Sequence, residues 1–382
     1  MVTGGVLRRR SRFVYRATIS MSKIKFGRWM FAFLLGCLSS LLHAAPPAVP
    51  EVLLQPGAVA AHPEKGFFLS IVKTGERLVA VGEGGRIILS DDLGKSWRQA
   101  NVPVNVLLTQ VRFATPAEGW AIGHLGVVLH TADGGETWQL QLDGIKAAQI
   151  LLEDAQRNVA QRGEQDERAS KALSQAQYLL EDGPDKPFLT LQLNDGRLSV
   201  LGAFGLALQS DDGGKNWAPL AMEALNPGAL HFYASTTQQA LSLVVGEQGL
   251  LLRGEGGNHY QRVEQPYSGT LFGVLATPDI ALAYGLRGNA VKSSDRGATW
   301  KEINTGVSAS LQGGLSLVDG RLVLLAENGQ VVLGDKHGEH FNVLNRQILP
   351  AVDAVQVSAN DLVLVGPVGV QTLSLAVGES AQ

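Results

Sequence analysis

Hydrophobic and polar residues recur along this chain in a fixed order. An apolar run is followed by Gly-x-x-Gly, then a second apolar run, then a polar turn that ends on an aromatic residue. The glycine motifs are Gly82-Glu83-Gly84-Gly85, Gly123-His124-Leu125-Gly126, Gly202-Ala203-Phe204-Gly205, Gly246-Glu247-Gln248-Gly249 and Gly285-Leu286-Arg287-Gly288. Ala326-Glu327-Asn328-Gly329 lacks the first glycine, and Gly366-Pro367-Val368-Gly369 is a seventh copy with no aspartate turn after it. Each is expected to be a tight hairpin between two short strands, as between 78–82 and 86–90.

The polar turn is the sharper signal. Ser90-Asp91-Asp92-Leu93-Gly94-Lys95-Ser96-Trp97 returns as Thr131 to Trp138, Ser210 to Trp217 and Ser294 to Trp300. Its invariant parts are Asp92, Gly94 and Trp97; Asp133, Gly135 and Trp138; Asp212, Gly214 and Trp217; and Asp295, Gly297 and Trp300. Weaker copies run from Gly254 to Tyr260 and from Gly334 to Phe341. An Asp side chain can bond the amides of its own turn, Gly can take φ > 0, and the Trp opens the next strand with a large apolar surface. The step is 41 residues from Trp97 to Trp138, 43 from Trp217 to Tyr260, 40 from there to Trp300 and 41 from there to Phe341. A period of that length with several short strands per unit is the mark of a β-propeller blade. The expected fold is therefore all-β, a seven-bladed propeller of four-stranded antiparallel blades spanning 67–382.

One segment breaks the pattern. Residues 145–183 are rich in Ala, Gln, Glu, Arg and Leu, with Leu151, Leu152, Ala155 and Val159 at helical spacing and Leu173, Ala176 and Leu180 repeating it. Two helices are expected, inserted between blades two and three and leaving from the face that carries the Gly-x-x-Gly turns. Their apolar stripe, including Leu151, Leu152 and Leu173, needs a cover, so the insert is a candidate docking element. Residues 46–66 are rich in Pro and Ala. They form either a linker or, through 52–54, the outer strand that the last repeat lacks; the latter would cover an open sheet edge.

The N-terminus has the form of a targeting segment. Lys23, Lys25 and Arg28 precede an apolar stretch over 29–42, then His43-Ala44-Ala45 as a small-residue cleavage site. Residues 1–45 are expected to be a signal peptide, with Met21 as an alternative start. Leu34-Leu35-Gly36-Cys37 resembles a lipobox, so a lipoprotein anchored at Cys37 is the alternative to a periplasmic or secreted protein. Cys37 is the one cysteine, and cleavage after it leaves no thiol chemistry.

The chain has 382 residues, of which 18% are charged, 45 glycines and a net charge of −3, with no basic run interleaved with aromatics. Nucleic acid is not an expected partner. The histidines show no metal spacing, and Gly-x-x-Gly joins strands instead of opening a helix, so neither metal nor nucleotide cofactor is expected.

These repeats resemble the BNR/Asp-box propellers, and among them the photosystem II stability/assembly factor-like family. The resemblance runs from Phe67 to about Gly369; Gly183-Pro184-Asp185-Lys186-Pro187-Phe188 is similar to the bacterial, non-photosynthetic branch. It implies a non-catalytic extracytoplasmic monomer that binds protein partners of an envelope or membrane complex. Asp boxes also occur in sialidases and other glycosidases, so an enzyme of that type is the alternative. A sialidase would add an Arg-Ile-Pro motif, which is absent, and a glycosidase would need two carboxylates across one bond. Glu83, Glu247 and Glu327 are the turn acids available. His124 and Arg287, read as corresponding residues of blades two and five, are with those acids the candidates for contact with a partner. The box aspartates are expected to be structural, on the opposite face.

Overall fold

The structure is a computed structural model that describes residues 49–194, 196–255 and 259–376. The expected signal peptide, Met21 and Cys37 lie outside the described residues.

Seven antiparallel sheets follow one another along the chain, six of four strands and one of three. Strands within a sheet pair in chain order, and the first strand of each sheet lies beside the first strand of the next. These inner strands form a closed ring, because the one at Asp353–Gln356 lies beside the one at Phe68–Thr74. The blades begin at Phe68, Leu108, Phe188, Phe232, Leu271, Leu311 and Asp353.

The core lies between blades instead of inside one sheet. One cluster joins Val79, Val81 and Leu89 of blade one to Val111, Ala121 and Trp138 of blade two. Others join Trp120 to Trp217 across blades two and three, and Leu243 to Trp300 across blades four and five. Each Trp therefore leans on the blade before its own. Trp138, Trp217 and Trp300 are buried, whereas Trp97 is half-buried against Val363 and Val365 of the last blade. The three-stranded last blade gives Trp97 less to pack against.

The aspartate turns explain their own recurrence. Asp295 Oδ1 accepts from the amides of Ala298 and Thr299 at 3.1 and 2.9 Å, and Oδ2 accepts from the Thr299 hydroxyl at 2.6 Å. Ser293 Oγ accepts from the Gly297 amide at 2.8 Å, and the Trp300 indole donates to Gly297 O at 3.0 Å. The same bonds recur around Asp92, Asp133 and Asp212. In blade six Asp335 takes over, accepting from the amides of His337 and His340, each at 2.7 Å.

The first five Gly-x-x-Gly segments are single 3-10 turns, and their two glycines serve different needs. The first is extended; a β-carbon on Gly82 would lie 2.0 Å from Phe67 O. The second has φ between +65° and +74° in the first five copies, and a β-carbon on Gly85 would lie 1.8 Å from Val104 O. The intervening third position is also left-handed, whatever residue holds it: Gly84, Leu125, Phe204, Gln248 or Arg287. His124 sits one position earlier, so His124 and Arg287 do not correspond as the sequence reading had them.

Ring closure departs from expectation. Residues Glu51–Leu53 form a 3-10 turn, not a strand. Leu53 is buried in the cluster between blades one and two, and Val52 O accepts from the Asn105 amide at 2.8 Å. The last blade keeps three strands among the described residues. At its outer edge the Val370 amide donates to Glu64 O at 3.0 Å, so residues just before blade one cover part of that edge without pairing as a strand.

Helices α1 (Gly144–Arg162) and α2 (Glu167–Asp182) lie between the outer strand of blade two and the inner strand of blade three. Asp143 and Asp166 cap them by accepting from the amides of Lys146 and Ala169, both at 2.9 Å. The helices pack on each other through Ala148, Ala155, Ala169 and Ala176, all buried. Their root is fixed to the ring: Ala147 is buried with Trp120 and Phe188, and Ile150, Leu151 and Leu179 pack on the same cluster. Gly144 comes so close to the blade-two turn that a β-carbon on it would lie 2.9 Å from Leu125 O. The insert thus stands beside the Gly-x-x-Gly face.

Candidate functional site

In the first five blades the inner strand starts on the Gly-x-x-Gly face opposite the first glycine, as Phe68 does with Gly82, and in blade six Leu311 starts opposite Ala326. In these six blades the pairing register then slips by one residue, which leaves Leu69, Thr109, Leu189, Tyr233, Phe272 and Gln312 at bulges near the mouth of the ring. Bulges re-aim side chains at such rims. In blades four and five the bulge residues are aromatic.

There a connected set of rings forms. Phe204, at the tip of the blade-three turn, lies 4.6 Å from His231 between ring centroids. His231 stacks at 16° on Tyr233, 6.0 Å away, and Tyr233 meets Phe272 edge to face at 5.5 Å. Lys186 places Nζ over the Phe204 ring, 5.3 Å from its centroid. Phe204 holds φ +55° and remains 59% exposed. A bulky side chain in the left-handed region carries a steric cost of about 1–2 kcal/mol, which burial does not offset here. Gly84 shows that a glycine serves the same turn. The Tyr233 hydroxyl makes no hydrogen bond with the described residues, and burial together with the nearby Glu247 carboxylate raises its pKa.

The turn acids do not converge. Glu83 Oε1 accepts from the Phe67 amide at 3.3 Å, Glu247 Oε2 from the His231 amide at 2.8 Å, and Glu327 Oε1 from the Ser310 amide at 3.1 Å. In each case the acid fastens its turn to the residue leading into its own blade's inner strand. Glu247 also holds the His231 ring at Nδ1, 2.7 Å away; partial burial of Glu247 works against these bonds, which still lower its pKa. The box aspartates, on the other face, have pKa values held down to about 2 for Asp92, Asp212 and Asp295 by hydrogen bonds from the turn's own hydroxyl and amide donors.

The remaining sequence candidates take varied places. His124 and Arg287 are exposed on the Gly-x-x-Gly face, and partial desolvation lowers the His124 pKa. Leu151, Leu152 and Leu173 are half-buried, because the helices and the blade-three cluster already cover their stripe. They are not a free docking surface. Sequence reading missed Phe204, His231, Tyr233, Phe272 and Lys186. The signal for Phe204 was present, as an aromatic between the two glycines of a turn; the others come together only through the ring.

An open depression of about 420 Å³ lies at blade six, lined by Asp319, Arg321, Asp335, Lys336, His340 and Asn342 among others. Its charged groups include a mutual Asp319–Arg321 pair at 2.8 Å and the amide-bound Asp335.

Comparison with known proteins adds family information. Residues 89–153 match the family model described as photosynthesis system II assembly factor YCF48. The chain is 25% identical over 146 residues to the chloroplastic photosystem II stability/assembly factor HCF136 of Cyanidioschyzon merolae, covering 35% of this chain and 33% of that one. It is 28% identical over 135 residues to the photosystem II assembly protein Ycf48 of a Synechococcus strain, covering 32% and 39%. The matched stretches thus span little more than a third of these relatives. In structure the chain is similar to YCF48 bound to a D1 peptide, with a TM-score of 0.51, 17% identity, and 71% and 79% of the two chains covered. At that identity the likeness is one of fold.

Proposed function

We propose that this protein is a non-catalytic extracytoplasmic propeller that binds a protein partner, as an assembly, stability or accessory factor for an envelope or membrane complex. The observation that carries the reading is Phe204. It is an exposed aromatic in a left-handed turn, at the head of a line of rings on the face beside the helical insert. Aromatic residues with free polar tips are the side chains from which protein interfaces draw most of their binding energy. The relatives named above are assembly factors, and one solved structure of that group holds a peptide. The glycosidase alternative has less support, since its candidate acids are each committed to a backbone amide.

Extracytoplasmic placement rests on the positive, apolar and small-residue segments of 1–45. No helix among the described residues is long and apolar enough to cross a membrane.

The test is affinity capture of the protein from its own envelope fraction, with partners identified by mass spectrometry. A defined set of membrane-complex subunits is expected. Recovery of the propeller alone, together with hydrolysis of a glycoside panel, would replace this reading with the enzymatic one.

A further inference from the structure

The charges around the aromatic line are arranged unevenly. Lys186 is tucked in, its side chain only 17% exposed, while its partners Asp185 and Asp182 remain 59% and 61% exposed at 2.5 and 3.8 Å. Lys186 Nζ lies over the Phe204 ring, and the same ammonium group is paired with both exposed carboxylates. At the other end of the pair, Glu247 holds His231 against Phe204. The groups that meet solvent here are therefore a ring and two acids. The single lysine is already neutralised by Asp185.

We propose that this aromatic-acidic patch, Phe204, Tyr233 and Phe272 with Asp182 and Asp185, is the seat for a basic side chain of the partner, an arginine above all. The proposal rests on the partner-binding reading given above. A planar guanidinium stacks on aromatic faces and donates in a fork to carboxylates, a combination that an ammonium group meets less well. The hydroxyl of half-buried Tyr233, which makes no hydrogen bond among the described residues, supplies an acceptor at the ring mouth. Lys186, His231 and, from the blade-five turn, Arg287 are the cations on this side of the ring. Lys186 is paired, and His231 is held by Glu247, so neither presents an unopposed charge.

The probe is N-acetyl-arginine amide, titrated into the full-length processed protein while the ring resonances of labelled phenylalanine and tyrosine are followed by NMR. Saturable shifts in the millimolar range are expected for Phe204 and Tyr233, as suits a single cation–π and ion-pair contact. N-acetyl-citrulline amide keeps the shape but not the charge, and should bind at least tenfold more weakly. Phe204→Ala and Asp185→Asn should each weaken the arginine probe at least tenfold. Both residues are exposed, so unchanged melting will show that the ring is intact. Equal shifts from citrulline amide, or titrations unaltered in both variants, would overturn the proposal, as would saturable shifts from methyl glucoside with none from the arginine probe. If partners are captured from the envelope but the arginine probe does not bind, this inference alone fails. If no partner is captured at all, the broader reading fails with it.

Discussion

The carboxylate of Asp353 accepts a hydrogen bond from the Ile71 amide at 3.0 Å, across the seam where the last blade meets the first. The same oxygen accepts from the Ser70 hydroxyl at 3.0 Å, and the other from the Ala354 amide at 2.9 Å. Burial among the inner strands pushes the Asp353 pKa up, against the pull of Arg112 and of these donors. Gln110 does the same work between blades two and three, accepting from the Leu191 amide at 2.6 Å. The Asp353 side chain thus ties the last blade to the first, beside the apolar cluster of Phe68, Ile71, Val363 and Val365, and no strand is exchanged across the seam among the described residues.

Asp353→Ala should destabilise the protein by about 1–3 kcal/mol, the cost of leaving a buried amide and hydroxyl unpaired. Denaturant unfolding reads this directly. A change below about 0.5 kcal/mol would mean that the seam is held by other contacts.

Trp300→Ala should cost about 3–5 kcal/mol, as for a large buried aromatic. Trp97→Ala should cost clearly less, because Trp97 is half-buried at the seam. Equal losses for the two would show that the three-stranded last blade buries its tryptophan neighbour as fully as the others do.

The aspartate turns set an acid limit. Asp92, Asp212 and Asp295 fall from an ordinary 3.8 to about 2 on folding. A depressed carboxylate stabilises the fold above its unfolded pKa, and that contribution is lost as pH falls through the folded value. Melting temperature should therefore drop between about pH 4 and pH 2. Asp295→Asn should be less stable at neutral pH and show a shallower drop in that window. A variant with the wild-type slope would mean that Asp295 does not titrate as its bonds require.

The helical insert can be divided. Replacing 146–182 with a Gly/Ser linker removes Ala147, Ile150, Leu151 and Leu179 from the blade-three cluster and should cost about 2–4 kcal/mol. Replacing only 154–174 spares that root and should shift melting by no more than about 3 °C. If the distal hairpin docks the partner, capture from the envelope is lost in the shorter replacement. Partners retained there would confine the insert to a brace.

Intact mass of the envelope-derived protein should correspond to a chain beginning near Ala45 or Pro46. A diacylglyceryl mass on Cys37 would make it a lipoprotein instead.

The sequence by itself determined the blade. An Asp box bonds residues no more than four or so positions apart, and the second glycine of a Gly-x-x-Gly turn supplies the positive φ that the turn requires. Such short-range chemistry is written in the order of residues, so the period, the number of sheets and the helical interruption were all legible. What the tertiary structure alone decided lies between blades. Asp353 and Ser70 are 283 positions apart, and nothing in their local sequence marks them as partners. Phe204, His231, Tyr233 and Phe272 come from three blades and meet because the ring turns their inner ends to one mouth. The stripe of Leu151, Leu152 and Leu173 looked free because a helical pattern shows which face is apolar but not what covers it. Residues 52–54 looked like a strand by apolar content alone, and became a turn because Leu53 found burial between blades one and two. In each case the deciding energy is a contact between segments distant in sequence, and its geometry exists only once the ring has closed.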